Sequence, residues 1–360
     1  MKNITQQFFF ICLVCVLLSS CSDQKATKIA LIADLSPEES RPTWTELFSD
    51  RYEITLLETT SGSLIGQIDK IRKFRNHYYV LSSNGKTIHH FDKDGKFVSS
   101  LNRQGQGPEE YPRIEDFDVC EADGKTEVWI SDSLKVYDAT DFSFKRKISY
   151  PFVIHKFKKM ENSHVLLVTG QNENILTLVD KEGEIIAEYL KKEIPYIMFR
   201  PVQFAAYGSS YLFQLGISNT FVSFNPQTEQ FQMGHYAGGN EFLTEKQLLE
   251  MFQTHGIDFI LEANKCSYIN NMISLGNIIW LQTHQGGKNY LTKVEEGQKV
   301  STQFSYGTTL STISDAESDD SILLYITPDR LSEHPEDVID KFGNKIICNM
   351  EDNPYILEFF

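Results

Sequence analysis

The densest grouping of reactive and backbone-permissive residues in this chain is Arg103-Gln104-Gly105-Gln106-Gly107-Pro108-Glu109-Glu110-Tyr111. Glycines beside an arginine can turn backbone N–H groups toward a carboxylate or phosphate, so Arg103 and Gln104 are ligand-binding candidates. The helix that follows a P-loop or dinucleotide fingerprint is missing, and a structural connection between repeats is the reading ranked first. Nine histidines raise the question of a metal. They share no repeated position: His89 and His90 precede a hairpin, His155 lies in an early strand, and His284 follows a second strand. No cofactor is therefore predicted, with a divalent metal kept as the minor expectation. Asp315, Glu317, Asp319 and Asp320 form an acidic run without the glycine and terminal glutamate of an EF-hand loop, which reads as a solvated loop. Trp129, Trp280 and Tyr290 can stack on sugars. Trp129 stays a weak ligand candidate, although aromatics at strand positions more often fill the core. Gly-x-Ser-x-Gly and cysteine-nucleophile signatures are missing, so catalytic residues stay unassigned.

These residues must be exported before they act. Lys2 is the one charged residue in the first twenty, and the apolar run Phe8 to Leu18 is short for a bilayer span. It ends in Leu18-Ser19-Ser20-Cys21, which resembles a bacterial lipobox and predicts a signal peptide over 1–20 with lipid attachment at Cys21. Cleavage removes Lys2 and takes the net charge from −15 to −16. Cys12 and Cys15 leave with the signal, and Cys120, Cys266 and Cys348 are too few and too far apart for a disulfide framework or a zinc site. Strong acidity with scattered basic residues excludes nucleic acid as the partner.

Residues 21–45 read as the lipidated N-terminus and tether, and 46–360 as one domain of repeats. The clearest repeat is Phe91-Asp92-Lys93-Asp94-Gly95-Lys96-Phe97, matched by Val179-Asp180-Lys181-Glu182-Gly183-Glu184-Ile185. Looser copies run from Tyr137 to Phe142, Phe224 to Phe231 and Val294 to Val300. Each is a hairpin signal, because Asp and Asn suit turn geometry and Gly supplies positive φ. The copies recur every 42 to 46 residues apart from one gap of 70 between Phe224 and Val294, a period that fits a four-stranded blade. The gap holds a helical insertion at about 241–256, with the capping box Thr244-Glu245-Lys246-Gln247 and the stop Gly256. A second insertion is expected at about 328–342. Dense runs such as Tyr78–Leu81, Val128–Ile130, Val165–Val168 and Ile278–Leu281 predict second strands buried between blades. The expected fold is an all-β, six-bladed β-propeller. Tyr52–Leu57 would complete the last blade beside Tyr355–Phe360 and close the ring.

The Arg103–Tyr111 segment behind its hairpin, the C-terminal Asn353-Pro354-Tyr355-Ile356-Leu357 and the lipobox together resemble the six-bladed β-propeller lipoproteins of gut Bacteroidetes, relatives of NHL-type propellers. Ser82-Ser83 depart from that pattern, in which an Asp follows the second strand, whereas Ser131-Asp132 keep it. The resemblance covers nearly the whole chain and implies fold and export. The expected function is a binding or scaffold module for a peptide, glycan or envelope protein, lipid-anchored at the outer membrane with its facing undecided. The alternatives are a hydrolase or lyase with a metal-dependent site in the central funnel, and a structural component of an outer-membrane uptake complex.

Overall fold

The computed structural model describes residues 29–31, 44–160, 162–169, 172–192, 204–214, 220–236, 242–263, 266–285, 288–295, 302–306, 316–333 and 344–360. The signal segment, Cys21 and Asp315 lie outside them, as do residues 334–343 of the second insertion.

The repeating hairpins fold as their turn residues dictate. In the first, Asp92 Oδ1 accepts the Asp94 and Lys96 N–H groups, both at 2.9 Å, while Gly95 takes a φ of +74°. The second copy repeats the device: Asp180 Oδ1 accepts from Glu182 and Glu184 at 3.0 and 2.9 Å, and Gly183 sits at +92°. A side-chain oxygen that satisfies two N–H groups fixes the turn, and glycine reaches positive φ without strain.

These hairpins build six blades. Blade 1 comprises Ile68–Phe74, His77–Ser82, Thr87–Phe91 and Phe97–Leu101. Blade 2 comprises Phe117–Ala122, Lys125–Ile130, Lys135–Asp138 and Phe144–Lys147. Blade 3 comprises Ile154–Lys159, Val165–Thr169, Asn174–Val179 and Ile185–Lys191. Blade 4 runs Ala205–Tyr207, Ser210–Gln214, Thr220–Asn225 and Gln230–Tyr236, and blade 5 runs Tyr268–Leu275, Ile278–Gln285, Lys288–Glu295 and Thr302–Tyr306. Blade 6 joins Ile322–Ile326 and Tyr355–Phe359 to the N-terminal strand Tyr52–Leu56, whose register runs from Tyr52 opposite Phe359 to Leu56 opposite Tyr355. Pairing of this N-terminal strand with the last strand closes the ring as expected and covers the outer edge of Tyr355–Phe359. Asn353 pins the closure. Its Nδ2 donates to the Glu58 and Ser63 carbonyls at 2.8 Å, and its Oδ1 accepts the Ile65 N–H at 2.9 Å.

Second strands have neighbours on both faces, and alternate residues enter different junctions. In blade 1, Tyr79 and Leu81 pack toward blade 2, while Tyr78 and Val80 pack toward blade 6. An apolar cluster of this kind fills each of the six junctions. Fully burying one such side chain contributes about 1.5–3 kcal/mol, so this repeated core carries the ring.

The first insertion folds as expected and runs on past Gly256: it is the helix Glu245–His255 with the capping box at Thr244, continued by Gly256–Asp258 and Phe259–Ala263. Two further details go beyond the expected plan. Ile29–Leu31, in the segment read as tether, pairs in parallel with Gly234–Tyr236 as a fifth strand on blade 4. In blade 6, the segment just before Ile322–Ile326 leaves its own sheet. Ala316–Glu317 pairs in parallel with blade 1, Ala316 opposite Ile71 and Glu317 opposite Arg72. This displacement puts an acidic strand against a basic one.

Candidate functional site

The inner strands of blades 1, 2 and 3 share one pattern, a charged side chain at every second position. Lys70 and Arg72 flank Ile71, Asp116 and Asp118 flank Phe117, and Lys156 and Lys158 flank Phe157. Strand geometry sends alternate side chains to opposite faces, so Ile71, Phe117 and Phe157 enter the blade junctions and the charges meet between neighbouring inner strands. Lys70 Nζ lies 2.8 Å from Asp116 Oδ1 and 3.2 Å from Glu317 Oε2. Lys156 Nζ reaches the same Asp116 oxygen at 3.3 Å. Arg72 Nε donates to Asp118 Oδ1 at 3.0 Å, and Lys158 Nζ lies 3.3 Å from Asp118 Oδ2. Backbone N–H groups complete both aspartates: Phe157 donates to Asp116 at 3.0 Å, Val119 to Asp118 at 2.9 Å and Lys159 to Asp118 at 3.3 Å.

These groups are almost entirely withdrawn from water; Asp116 and Asp118 side chains are 0 and 1 % exposed. Burial disfavours the charged form of a group, and an opposite charge within contact distance favours it. Burial pulls the Lys70 ammonium down, and Asp116, Glu317 and Asp118 outweigh it, so its pKa stands above the ordinary lysine range. Arg72 is raised in the same way by Asp118 and Asp319 against burial. For Glu317 burial pushes up, while Lys70, Lys158 and Arg72 hold it well below the usual carboxylate range. Coulomb attraction at such distances, about 4 kcal/mol at an effective dielectric of 20, roughly offsets desolvation of several kcal/mol per ion. The intact network is close to neutral in stability, and breaking it is costly.

Glu317 also accepts the Phe204 N–H at 3.1 Å. Of the acidic run expected as a solvated loop, Asp319 and Asp320 are exposed in a bend, while Glu317 is corrected: it is 6 % exposed and ion-paired, because the cations of blades 1 and 3 draw it in. Lys73 reaches Asp320 at 3.2 Å and pairs with Glu358. Beside Glu317, toward blades 4 and 5, a cavity of about 20 Å³ is lined by Phe204, Ala205, Ala206, Met272 and Ser274, room for one water-sized guest.

The residues singled out from sequence lie elsewhere. Arg103 donates to Glu109 at 2.8 Å, and the Gly107 N–H donates to Glu110 Oε2 at 2.9 Å. Gly105 donates to the Tyr111 carbonyl at 3.1 Å, and Tyr111 returns a bond to Arg103 at 3.0 Å. The anion in this turn is thus the chain's own Glu110, packed so closely that a side chain at Gly105 would collide with it. Gln104 is exposed and forms a bridge to Tyr111. Trp129 is fully buried at the junction of blades 2 and 3, with Nε1 donating to Glu127 at 2.9 Å and Arg146 5.0 Å above its ring. Trp280 is equally buried and donates to the Leu47 carbonyl at 3.2 Å. His89 and His90 are buried in blade 1, His90 bonding His77 at 2.9 Å. Cys120, Cys266 and Cys348 are free. Among the described residues, no three His, Cys, Asp or Glu side chains converge to hold a metal ion, and no helix is long and apolar enough to cross a membrane.

The axial network escaped the motif reading because it belongs to no short motif. Its signal was present as period-two charge in strands otherwise apolar enough to be buried.

The chain matches the family model described as a domain of unknown function, DUF4934, over residues 38–357. An exported protein of Bacteroides fragilis, known from a crystal structure, is 17 % identical and superposes with a TM-score of 0.72, covering 92 % of this chain and 99 % of that one. A DUF4221 family member from Bacteroides vulgatus superposes at 0.51 with 11 % identity, covering 86 % and 96 %. No curated protein matches the sequence.

Proposed function

We propose for this chain, which belongs to the DUF4934 family, the role of an envelope lipoprotein whose propeller recognises a partner and performs no chemistry on it. The observation that carries the reading is the state of the axis. Propeller catalysts that use a central ion need converging, uncommitted carboxylates or imidazoles. Here Asp116, Asp118 and Glu317 are each committed to lysine or arginine, and a metal would have to displace those cations from a buried site.

Calorimetric titration of the purified protein with calcium, zinc and magnesium tests this. No uptake is expected. Stoichiometric binding that is lost in Asp118→Asn would overturn the reading and name the funnel as a metal site. The anchor is proposed from Leu18-Ser19-Ser20-Cys21, with support from the exported relative in Bacteroides fragilis. Acyl chains at Cys21 would hold the domain on the outer membrane through burial of their methylenes. Cys21→Ala should abolish acyl labelling and move the protein from the membrane fraction to the soluble one. Unchanged fractionation would remove the anchor from the proposal.

A further inference from the structure

Lys70, Arg72, Lys156 and Lys158 bring four positive charges into the axis, and the carboxylates buried beside them, Asp116, Asp118 and Glu317, bring three negative ones. A fourth negative charge is required, because an unmatched buried charge is costly. It comes from the rim: Asp319 Oδ2 lies 2.6 Å from Arg72 Nη2, with the Asp319 side chain 53 % exposed.

The match is incomplete on the arginine side. Arg72 is 2 % exposed, and its Nη1 is buried without a hydrogen-bond partner. A guanidinium presents paired N–H groups suited to gripping both oxygens of one carboxylate, yet Nη2 alone bonds Asp319. Asp319 follows a strand only two residues long, so little backbone pairing holds it in place. Lys158 lies close by with its ammonium 5.7 Å from the centre of the Tyr211 ring.

We propose that the axial mouth at Arg72 is a carboxylate-binding site, and that Asp319 is an internal stand-in which an external carboxylate replaces. The ligand class is a molecule presenting one free carboxylate, whether a small organic acid or the C-terminus of a peptide. This deepens the recognition reading and rests on it. The two fail separately, since metal titration tests that reading and carboxylate titration tests this one.

The experiment uses purified full-length protein with Asp319→Asn and Asp319→Ala, titrated with acetate at constant ionic strength against chloride. Calorimetry and melting temperature are the readouts. Both variants should gain about tenfold in acetate affinity over the unaltered chain, and acetate should raise their melting temperatures. Adding Arg72→Lys, which keeps the charge and removes the fork, should cancel most of the gain. The proposal is overturned if folded Asp319 variants gain no acetate binding, or if the gain survives Arg72→Lys unchanged. A peptide with a free C-terminus, compared with its amidated form, separates the sources. Preference for the free form assigns a chain terminus; equal, weak binding of both alongside tight acetate binding assigns a small acid.

Discussion

The two halves of the ring solve the same packing problem with opposite chemistry. Blades 1 to 3 line the axis with Lys70, Arg72, Asp116, Asp118, Lys156 and Lys158. Blades 4 and 5 offer Ala205, Ala206, Met272 and Ser274 beside the small cavity. Both halves bury their second strands in apolar junctions of the same kind. Between the halves stands Ala316–Glu317, taken from blade 6 and paired with blade 1. The blade junctions are thus interchangeable, whereas the axis is specified by charge. The excess of cations on blades 1 and 3 selects which strand enters and on which side it docks.

The strongest way to break this contrast is Asp118→Ala. It takes away the carboxylate that Arg72 and Lys158 share and leaves two N–H groups without their acceptor. A loss of about 3–5 kcal/mol is expected in urea unfolding; a loss below about 1 kcal/mol would mean that the pairs are not desolvated, and the contrast would collapse. Acid comes next. Burial lowers the His89 and His90 imidazoles from 6.5 to about 4, so the unfolded chain takes up protons at a pH where the folded one does not. Stability should hold above pH 7 and fall between about 6.5 and 4, by roughly 3 kcal/mol per imidazole at most. Below that window Glu317 adds a further loss. Its folded pKa is depressed, so its contribution is present above the unfolded value of 4.5 and disappears as pH falls through the folded one. His89→Phe should remove the His89 share of the first window, leaving that of His90, and leave the second unchanged, as read from melting temperature against pH. The smallest effect belongs to the neutral half. Ser274 donates to the Ala206 carbonyl between blades 5 and 4, and Ser274→Ala should cost about 1 kcal/mol, with a loss near that of Asp118→Ala erasing the difference between the halves.

Much of the ring was legible because its signals are local. Asp92 with Gly95, Asp180 with Gly183, and Thr244 with Gln247 each act within four residues, and the chain spells them out. Arg103 to Tyr111 was legible as a turn that can hold an anion, but not as one already holding Glu110, since side-chain direction decides that. Trp129 carried no mark to separate a sugar platform from a core residue, because burial depends on the neighbouring blade. Glu317 looked solvated for the same reason: its partner Lys70 is 247 positions away in the chain.

By itself, the sequence determined the period, the turns, the number of blades, the helical insertion and the closing strand, since each follows from residue types in contact along the chain or from a repeat that can be measured. Only the tertiary structure decided which charges would be buried together, which strand would leave its blade, and that Asp319 would face Arg72. Those outcomes come from electrostatic matching between residues far apart in sequence, and such matching exists only after the ring has closed.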